Sequence, residues 1–419
     1  LTTLHKTIAD NGHSTLHLRR WSKAAWSESR DSWLNLQRDS RADPLFMSFD
    51  WMRLWWDNFG HDDRELYIVG GYDGDRLVGI APLYIENSRR RGLSFRTIQI
   101  IGGSHCPGPK GGVLSEYLDV LAIPAYSELF RRQILQHVSE IKGVNEFSVG
   151  LTQQSAAWKA AMAERDGIGS YYLRPSERVT SYQADLSGGI QAYLHSLSES
   201  ARRGLWNKRR LLEHHGQVEL EAVNPESINQ AFDELNALHR IRWGAPAFEG
   251  PSLRFHQQLA VVLASRGELQ LTKLKLDNRV VSVLYDIAID DRQYNIQMGF
   301  DEAFDRRLAL GLLHLGYSIE RAASRGIRVY DFLAGTGRTS HYKSRIAQTC
   351  KELQNVQILR GLKMSMLFRC YDTAVKAFRN SSPVMLVAFG ATALVCKHGR
   401  LLKLNEMSAI FVDMVSYCA

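Results

Sequence analysis

LQLTKLKLDNRVVSVLYDIAIDDRQYNIQMGF spans Leu269 to Phe300, and DEAFDRRLALGLLHLGYSIERAASRGIRVYDFLAGTGRTSHYK carries the chain on to Lys343. Apolar and polar residues alternate from Gln270 to Leu276 and again from Val280 to Ala288, with breaks at Asp277-Asn278 and Asp290-Asp291. A period of two sends successive side chains to opposite faces of a strand, and Asp/Asn pairs suit tight turns, so the stretch predicts a three-stranded antiparallel meander. The period then changes. Leu308, Leu312, Leu315, Ile319 and Ala322 recur at helical spacing, which predicts a helix that lays one apolar stripe on this sheet and ends near Gly326. A short strand from Arg328 to Leu333 returns directly.

The 419 residues exceed one ordinary core and suit about two domains with extensions. Hydrophobic residues make up 45% and charged residues 23%, the balance of a folded protein and not of a disordered one. A formal charge of +8 favours an anionic partner, which a cofactor phosphate, an anionic glycan, RNA or a lipid surface would all satisfy. Cys106, Cys350, Cys370, Cys396 and Cys418 are odd in number and contain no CxxC pair. That spacing argues against a disulfide frame or a zinc site, so no metal is expected and a reducing, cytoplasmic setting fits. The N-terminal residues lack the continuous apolar core of a secretory signal. Val384 to Cys396 is the longest nearly unbroken apolar run; its thirteen residues fall short of the span a bilayer requires and predict a buried or interfacial helix.

In the first half, Ser22 to Gln37 and Phe49 to Phe59 read as amphipathic helices, the second capped by Ser48 or Asp50. Trp51, Trp55 and Trp56 are either core or a stacking surface for a sugar or base. Leu66 to Gly71 and Arg76 to Ile85 form a hairpin across Asp73-Gly74, and Phe95 to Ile101 is the next strand. The hairpin YIVGGYDGDRLVGIAPLYI resembles LTKLKLDNRVVSVLYDIAI in its turn and apolar pattern, which reflects either a doubled fold or a coincidence between two ordinary hairpins. Gly102 to Gly112 is glycine-rich with Lys110, but its spacing is neither a Walker loop nor a dinucleotide fingerprint. Ala125 to Ile141 and Ser155 to Ala163 read as helices, with a strand at Glu146 to Gly150.

The second half opens with Ser181 to Leu186 as strand and Gly188 to Leu197 as helix. SESARRGLWNKRRLLEHHG, Ser198 to Gly216, reads as one basic helix carrying Arg202, Arg203, Lys208, Arg209 and Arg210. It is either a solvated face or an anion platform. Gln217 to Val223 is a strand, and Pro225 to Trp243 and Pro251 to Arg266 are helices. HRIRW, His239 to Trp243, either lines a cleft or is the cationic end of a helix. Glu352 to Leu359 adds a last strand. Gly361 to Arg379 is a basic amphipathic helix that either packs on the protein or, with Val384 to Cys396, attaches to an anionic inner leaflet.

Taken together, DPLFMSFDWMRLWWDNFG, LVGIAPLYI, YQADL, SLSESARRGLWNKRRLLE, LHRIRW and the run from Gly299 to Ala347 resemble the CelD/BcsL group of BioF2-like acetyltransferase-domain proteins. The likeness covers roughly Asp43 to Ala347. That group is a branch of the GCN5-related N-acyltransferases (GNATs), related to the tandem FemAB-type transferases. The resemblance implies an α+β fold of tandem GNAT-like, largely antiparallel sheets flanked by helices, with a degenerate first domain at 1–175, an acyltransferase domain at 176–360 and a helical extension at 361–419. It implies acetyl-CoA or another acyl-CoA as co-substrate, a small-molecule or glycan acceptor, and a role in exopolysaccharide or cellulose production. YDFLAG and HYK match the family signature at Asp331, Phe332, Gly335, Tyr342 and Lys343. The basic segment and Arg-Trp pair match at Arg202, Arg203, Arg209, Arg210, Arg242 and Trp243, and of these Arg202, Arg203, Arg209, Arg242 and Trp243 are expected on the substrate. A typical pyrophosphate loop has several glycines, whereas Asp305 to Gly311 offers Arg306, Arg307 and Gly311.

Acyl transfer needs a held thioester, a base for the nucleophile and a donor for the leaving thiolate. Asp331 or Glu320 is the expected base, Tyr342 or Tyr294 the acid, and Lys343 an electrostatic stabiliser. Asp331 has the competing role of a strand-end carboxylate paired with an arginine such as Arg328. Two rival readings are a FemAB-like transferase that uses aminoacyl-tRNA, and a non-catalytic scaffold of polysaccharide assembly.

Overall fold

The computed structural model describes residues 15–61, 63–90, 93–103, 113–163, 171–305, 307–335 and 337–380. The fold is α+β, and the fourteen strands among the described residues form one large, mostly antiparallel sheet flanked by helices.

In the first half β1 (His17–Arg20) lies at the edge beside β2 (Arg64–Asp73). The helix expected over Ser22 to Gln37 is two, α1 (Lys23–Glu28) and α2 (Arg30–Asp39), because the Ser29 N–H closes back on the Trp26 carbonyl. α3 (Phe49–Phe59) starts at Ser48, whose Oγ accepts from Trp51 N at 3.2 Å, and not at Asp50. Trp51, Trp55 and Trp56 are all buried, so the tryptophan cluster is core. Trp51 stacks edge-on against Phe255 at 5.0 Å between ring centres and so joins the two halves. β3 (Arg76–Arg90) completes the expected hairpin, followed by β4 (Leu93–Ile100), β5 (Leu121–Ala122), α4 (Ser127–Glu140), β6 (Glu146–Thr152) and α5 (Ser155–Ala163).

β7 (Tyr171–Leu173) leads to β8 (Arg178–Asp185) and α6 (Gly189–Ser196). The expected single basic helix is broken into α7 (Glu199–Arg202), a π-helical turn over Arg203–Asn207, and α8 (Arg209–Glu213). Packing explains the break. The turn presses its backbone onto α11 (Leu310–Ser324) at Gly316, where a Cβ would stand 2.1 Å from the Leu205 carbonyl oxygen. β9 (Val218–Ala222), α9 (Ile228–Trp243) and α10 (Gly250–Ala264) precede the meander of β10 (Leu269–Leu276), β11 (Arg279–Ile289) and β12 (Arg292–Phe300). Asp277, Asn278 and Asp290 take positive φ in its turns, as tight hairpins demand. After α11 come β13 (Val329–Gly335), α12 (Gly337–Ile346), β14 (Thr349–Arg360) and α13 (Leu362–Asn380). The run Val384 to Cys396 and residues 104–112 of the glycine-rich stretch lie outside the described residues.

β14 runs between β6 and β8, antiparallel to both, which makes the sheet continuous across the two halves. α9 and α10 share a core with Val283, Tyr285 and Ile287 on one face of the meander. α6, α7 and α11 share another with Leu284, Ala288 and Tyr330 on the opposite face. Among the described helices none is long and apolar enough to cross a membrane.

Candidate active site

β12 and β13 run parallel but pair only from Arg292–Val329 to Tyr294–Asp331. Beyond that point they part. β12 carries an extra residue against β11 at Ile296, and β13 shifts register against β8 between Asp331 and Ala334. Bulges of this kind bend a strand and end its pairing. α11 and α12 both begin beyond the carboxyl ends of these two strands, where open sheets receive ligands.

A buried polar cluster from both halves lies at the root of this splay. Asp331 is fully buried and accepts from Tyr117 Oη at 2.8 Å, Gln183 Nε2 at 2.9 Å, Ser181 Oγ at 3.2 Å, Leu333 N at 2.8 Å and Arg292 Nη1 at 3.4 Å. Asp43 accepts from Leu45 N, Phe46 N and Tyr294 Oη, with Arg292 3.8 Å away. Ala334 N donates to both Glu116 oxygens, at 2.9 and 3.0 Å. Lys343 Nζ donates to the Ala334 and Leu333 carbonyls at 2.7 and 3.3 Å. Three carboxyl groups thus face two cations in a nearly dry space.

Desolvation and the charge imbalance push protons onto the acids. Burial raises the Asp43 carboxyl to about 6, opposed by the Phe46 amide, Arg292 and Tyr294. Burial and then the Asp331 charge raise Glu116, while the Ala334 amide and Lys343 oppose them. Burial lowers Lys343, with Glu116 and Asp331 pulling the other way. Asp331 is also raised by burial, against Arg292, the Leu333 amide, Tyr117 and Gln183. With five donors its lone pairs are committed, whereas among the described residues Glu116 accepts from the Ala334 amide.

The backbone is strained at the same place. Five described non-glycine residues have positive φ; three sit in the meander turns, and the other two are Tyr117 (φ 56°) and Leu333 (φ 60°). Both adjoin the Glu116–Ala334 contact. Such conformations cost about 1–3 kcal/mol each and gather at functional sites.

Of the expected residues, Asp331 and Lys343 lie in this cluster. Asp331 does pair with an arginine, but with Arg292 at 3.4 Å and not with Arg328, which faces Asp291 at 3.6 Å. Tyr342 is half-buried, and burial raises its hydroxyl to about 12, with Arg242 pulling it back. The Arg242 guanidinium lies 4.4 Å from the Phe300 ring centre at the end of β12 and 4.7 Å from that of Trp243, and ion-pairs with Glu302 at 3.4 Å. Arg242, the 48% exposed Trp243 and Tyr342 therefore gather near the open end of β12. Tyr294 is fully buried and spends its hydroxyl on Asp43.

The basic segment packs with α6, α11 and α12 on one face of the sheet, and Arg202, Arg203 and Arg209 are engaged there. Arg203 pairs with Glu199 at 2.6 Å, Arg202 donates to the Leu194 carbonyl, and Arg209 pairs with Glu320 at 2.8 Å between the rings of Trp206 and Tyr317. Glu320 is thereby engaged away from Asp331. Sequence reasoning missed Asp43, Glu116, Tyr117, Ser181, Gln183 and Arg292. The one sequence sign of Glu116 and Tyr117 is that they follow the glycine-rich stretch.

An acyl-CoA needs an anion-holding end and a slot beside a strand. α11 has no side-chain cap at Ala309 and no acidic residue in its first turn, so its free amides and positive end suit a pyrophosphate. Arg307 is exposed beside this end and pairs with Asp305 at 2.8 Å. Gly311 is buried, where a Cβ would meet Phe300 at 2.5 Å, so its role in the fold is helix–strand packing. Arg306 lies outside the described residues.

Residues 199–344 match the family model described as Acetyltransferase (GNAT) domain, and this segment is a GNAT-type acyltransferase domain. No curated protein matches the chain. Among solved structures, FemX superposes with a TM-score of 0.55 at 10% identity over 84% of this chain and 99% of its own, a likeness of fold. A conserved protein of unknown function from Bacteroides thetaiotaomicron VPI-5482 gives 0.48 at 12% identity, over 83% of this chain and 100% of its own. A tandem GNAT protein from the clavulanic acid biosynthesis pathway gives 0.43 at 13% identity, over 82% of this chain and 98% of its own. These last two superpose too loosely to argue from.

Proposed function

We propose that the chain transfers an acyl group, acetyl in the simplest case, from acyl-CoA to an amine or hydroxyl of a small-molecule or glycan acceptor in making exopolysaccharide, cellulose or another envelope polymer. The observation that carries the reading is the parting of β12 and β13 directly above Glu116 and Lys343. When bound, acyl-CoA supplies a thioester-activated acyl carbon. Glu116 takes the proton of the attacking amine or hydroxyl as the new bond to that carbon forms and the carbon–sulfur bond breaks. The Tyr342 hydroxyl returns a proton to the departing sulfur, and Lys343 offsets negative charge at the reacting centre. Asp331 and Arg292 position Tyr117 and Leu333, and with them the Glu116–Ala334 contact. Since Glu116 acts as carboxylate and burial raises it, transfer rises with pH to a limit above the ordinary carboxylate range.

The test is calorimetry with acetyl-CoA and longer acyl-CoAs, together with thiol release in the presence of amine and hydroxyl acceptors. Wild type and Glu116→Gln should bind the donor alike, while the variant transfers about 100-fold more slowly or worse. Failure of wild type to bind any acyl-CoA overturns the reading. The full-length likeness of fold to FemX favours a second one, a FemAB-like transferase fed by aminoacyl-tRNA. That reading predicts tRNA binding that falls steeply with salt.

A further inference from the structure

Seven large hydrophobic side chains are strongly exposed among the described residues, and three of them, Leu362, Met366 and Leu367, share the first two turns of α13. At 100° per residue they lie on one arc of the helix, together with exposed Lys363 and Cys370 and with Arg369 at its border. The opposite arc holds the helix to the protein. Asp372 accepts from Arg174 Nη2 at 2.6 Å, Arg174 Nε at 3.0 Å and Tyr172 Oη at 3.0 Å, and the Phe368 ring meets Phe95 at 5.8 Å.

Two consequences follow for the outer arc. Asp372 is the single acidic residue in the sequence of α13, and its charge is turned inward and neutralised, so the outward face carries cations and no anion. The contact of Phe368 with Phe95 of β4 and the ties on Asp372 also fix which arc of α13 is turned inward, so Leu362, Met366 and Leu367 are left on the outer one. An apolar stripe thus stands outward with exposed Lys363 within it and exposed Arg369 at its border.

We propose that this outer face of α13 docks on an anionic lipid surface, with Leu362, Met366 and Leu367 entering the acyl boundary and Lys363 and Arg369 meeting the head groups. Long cationic side chains lie along apolar surface and keep their charge in the polar layer, which suits Lys363 within the stripe. A protein groove lined with acids would answer the charges but would not need three aliphatic side chains standing free; a bilayer offers both chemistries at once.

The experiment is flotation of the full chain with vesicles of phosphatidylcholine alone or mixed with phosphatidylglycerol. Wild type should float with the mixed vesicles only, and less as salt is raised. Met366→Asp with Leu367→Asp, and separately Lys363→Glu with Arg369→Glu, should each reduce the bound fraction about tenfold at unchanged Tm, because these side chains are exposed. Absence of wild-type flotation, or flotation of both double variants equal to wild type, overturns the proposal. So does a concentration-dependent dimer of wild type that the aspartate variant abolishes without changing flotation, since the face would then belong to a second copy.

Discussion

His314 is fully buried on α11, its Nε2 2.9 Å from Thr272 Oγ1 and its Nδ1 2.9 Å from Ser282 Oγ. It ties the helix that opens at the splay to β10 and β11. Burial, and secondarily the Arg321 charge, lowers its pKa from 6.5 to about 3. A base with a folded-state pKa below its unfolded value is protonated first in the unfolded chain, so its contribution to stability falls as pH drops below 6.5. At about 1.4 kcal/mol per pH unit, roughly 2 kcal/mol is lost between about pH 7 and about pH 5. Gln in its place keeps one donor and one acceptor but does not titrate. His314→Gln should therefore cost a fixed packing penalty at both pH values, while the wild-type advantage shrinks by about 2 kcal/mol on going to the lower one. The carboxyls raised by burial, Asp43 and Glu116, gain stability as pH falls, but they are common to both chains and cancel in the difference. Urea unfolding followed by tryptophan fluorescence measures it. An equal gap at both pH values would mean that the imidazole is solvated or already charged in the fold, and the reasoning fails.

Gly316→Ala should destabilise by about 1–3 kcal/mol, because its Cβ meets backbone and not a yielding side chain, and Tm by calorimetry checks it. An unchanged Tm would show that the π-helical turn moves freely off α11. Asp372→Ala should cost about 1–3 kcal/mol and speed hydrogen exchange along α13 but not in α11, since it leaves half-buried Arg174 without its carboxylate. Equal exchange in both proteins would mean that the Phe368–Phe95 contact alone holds the helix.

The meander was legible because strict alternation and Asp/Asn pairs are local signals, and α11 because its stripe is. Asp331 stood out as a carboxylate at the end of an apolar strand. Glu116 did not, because its partner Ala334 is 218 residues away and nothing in LSEYLDV marks the contact. The splay itself arises from bulges at Ile296 and Leu333, which depend on what the neighbouring strands demand. α12 has a polar sequence, GRTSHYKSRI, without a clear stripe, and so gave no helical period. The break in the basic helix is imposed by a glycine more than a hundred residues later.

A strand inserted between β6 and β8 from the far end of the sequence also governs how the chain can be made. While a ribosome is still short of residue 349, β6 has emerged with one flank bare, and β8 has no neighbour on that side either. An unpaired flank of this kind invites mispairing with another nascent chain. A message truncated before β14 therefore yields no finished N-terminal piece, and translation must run to about residue 360 before either part of the sheet can close.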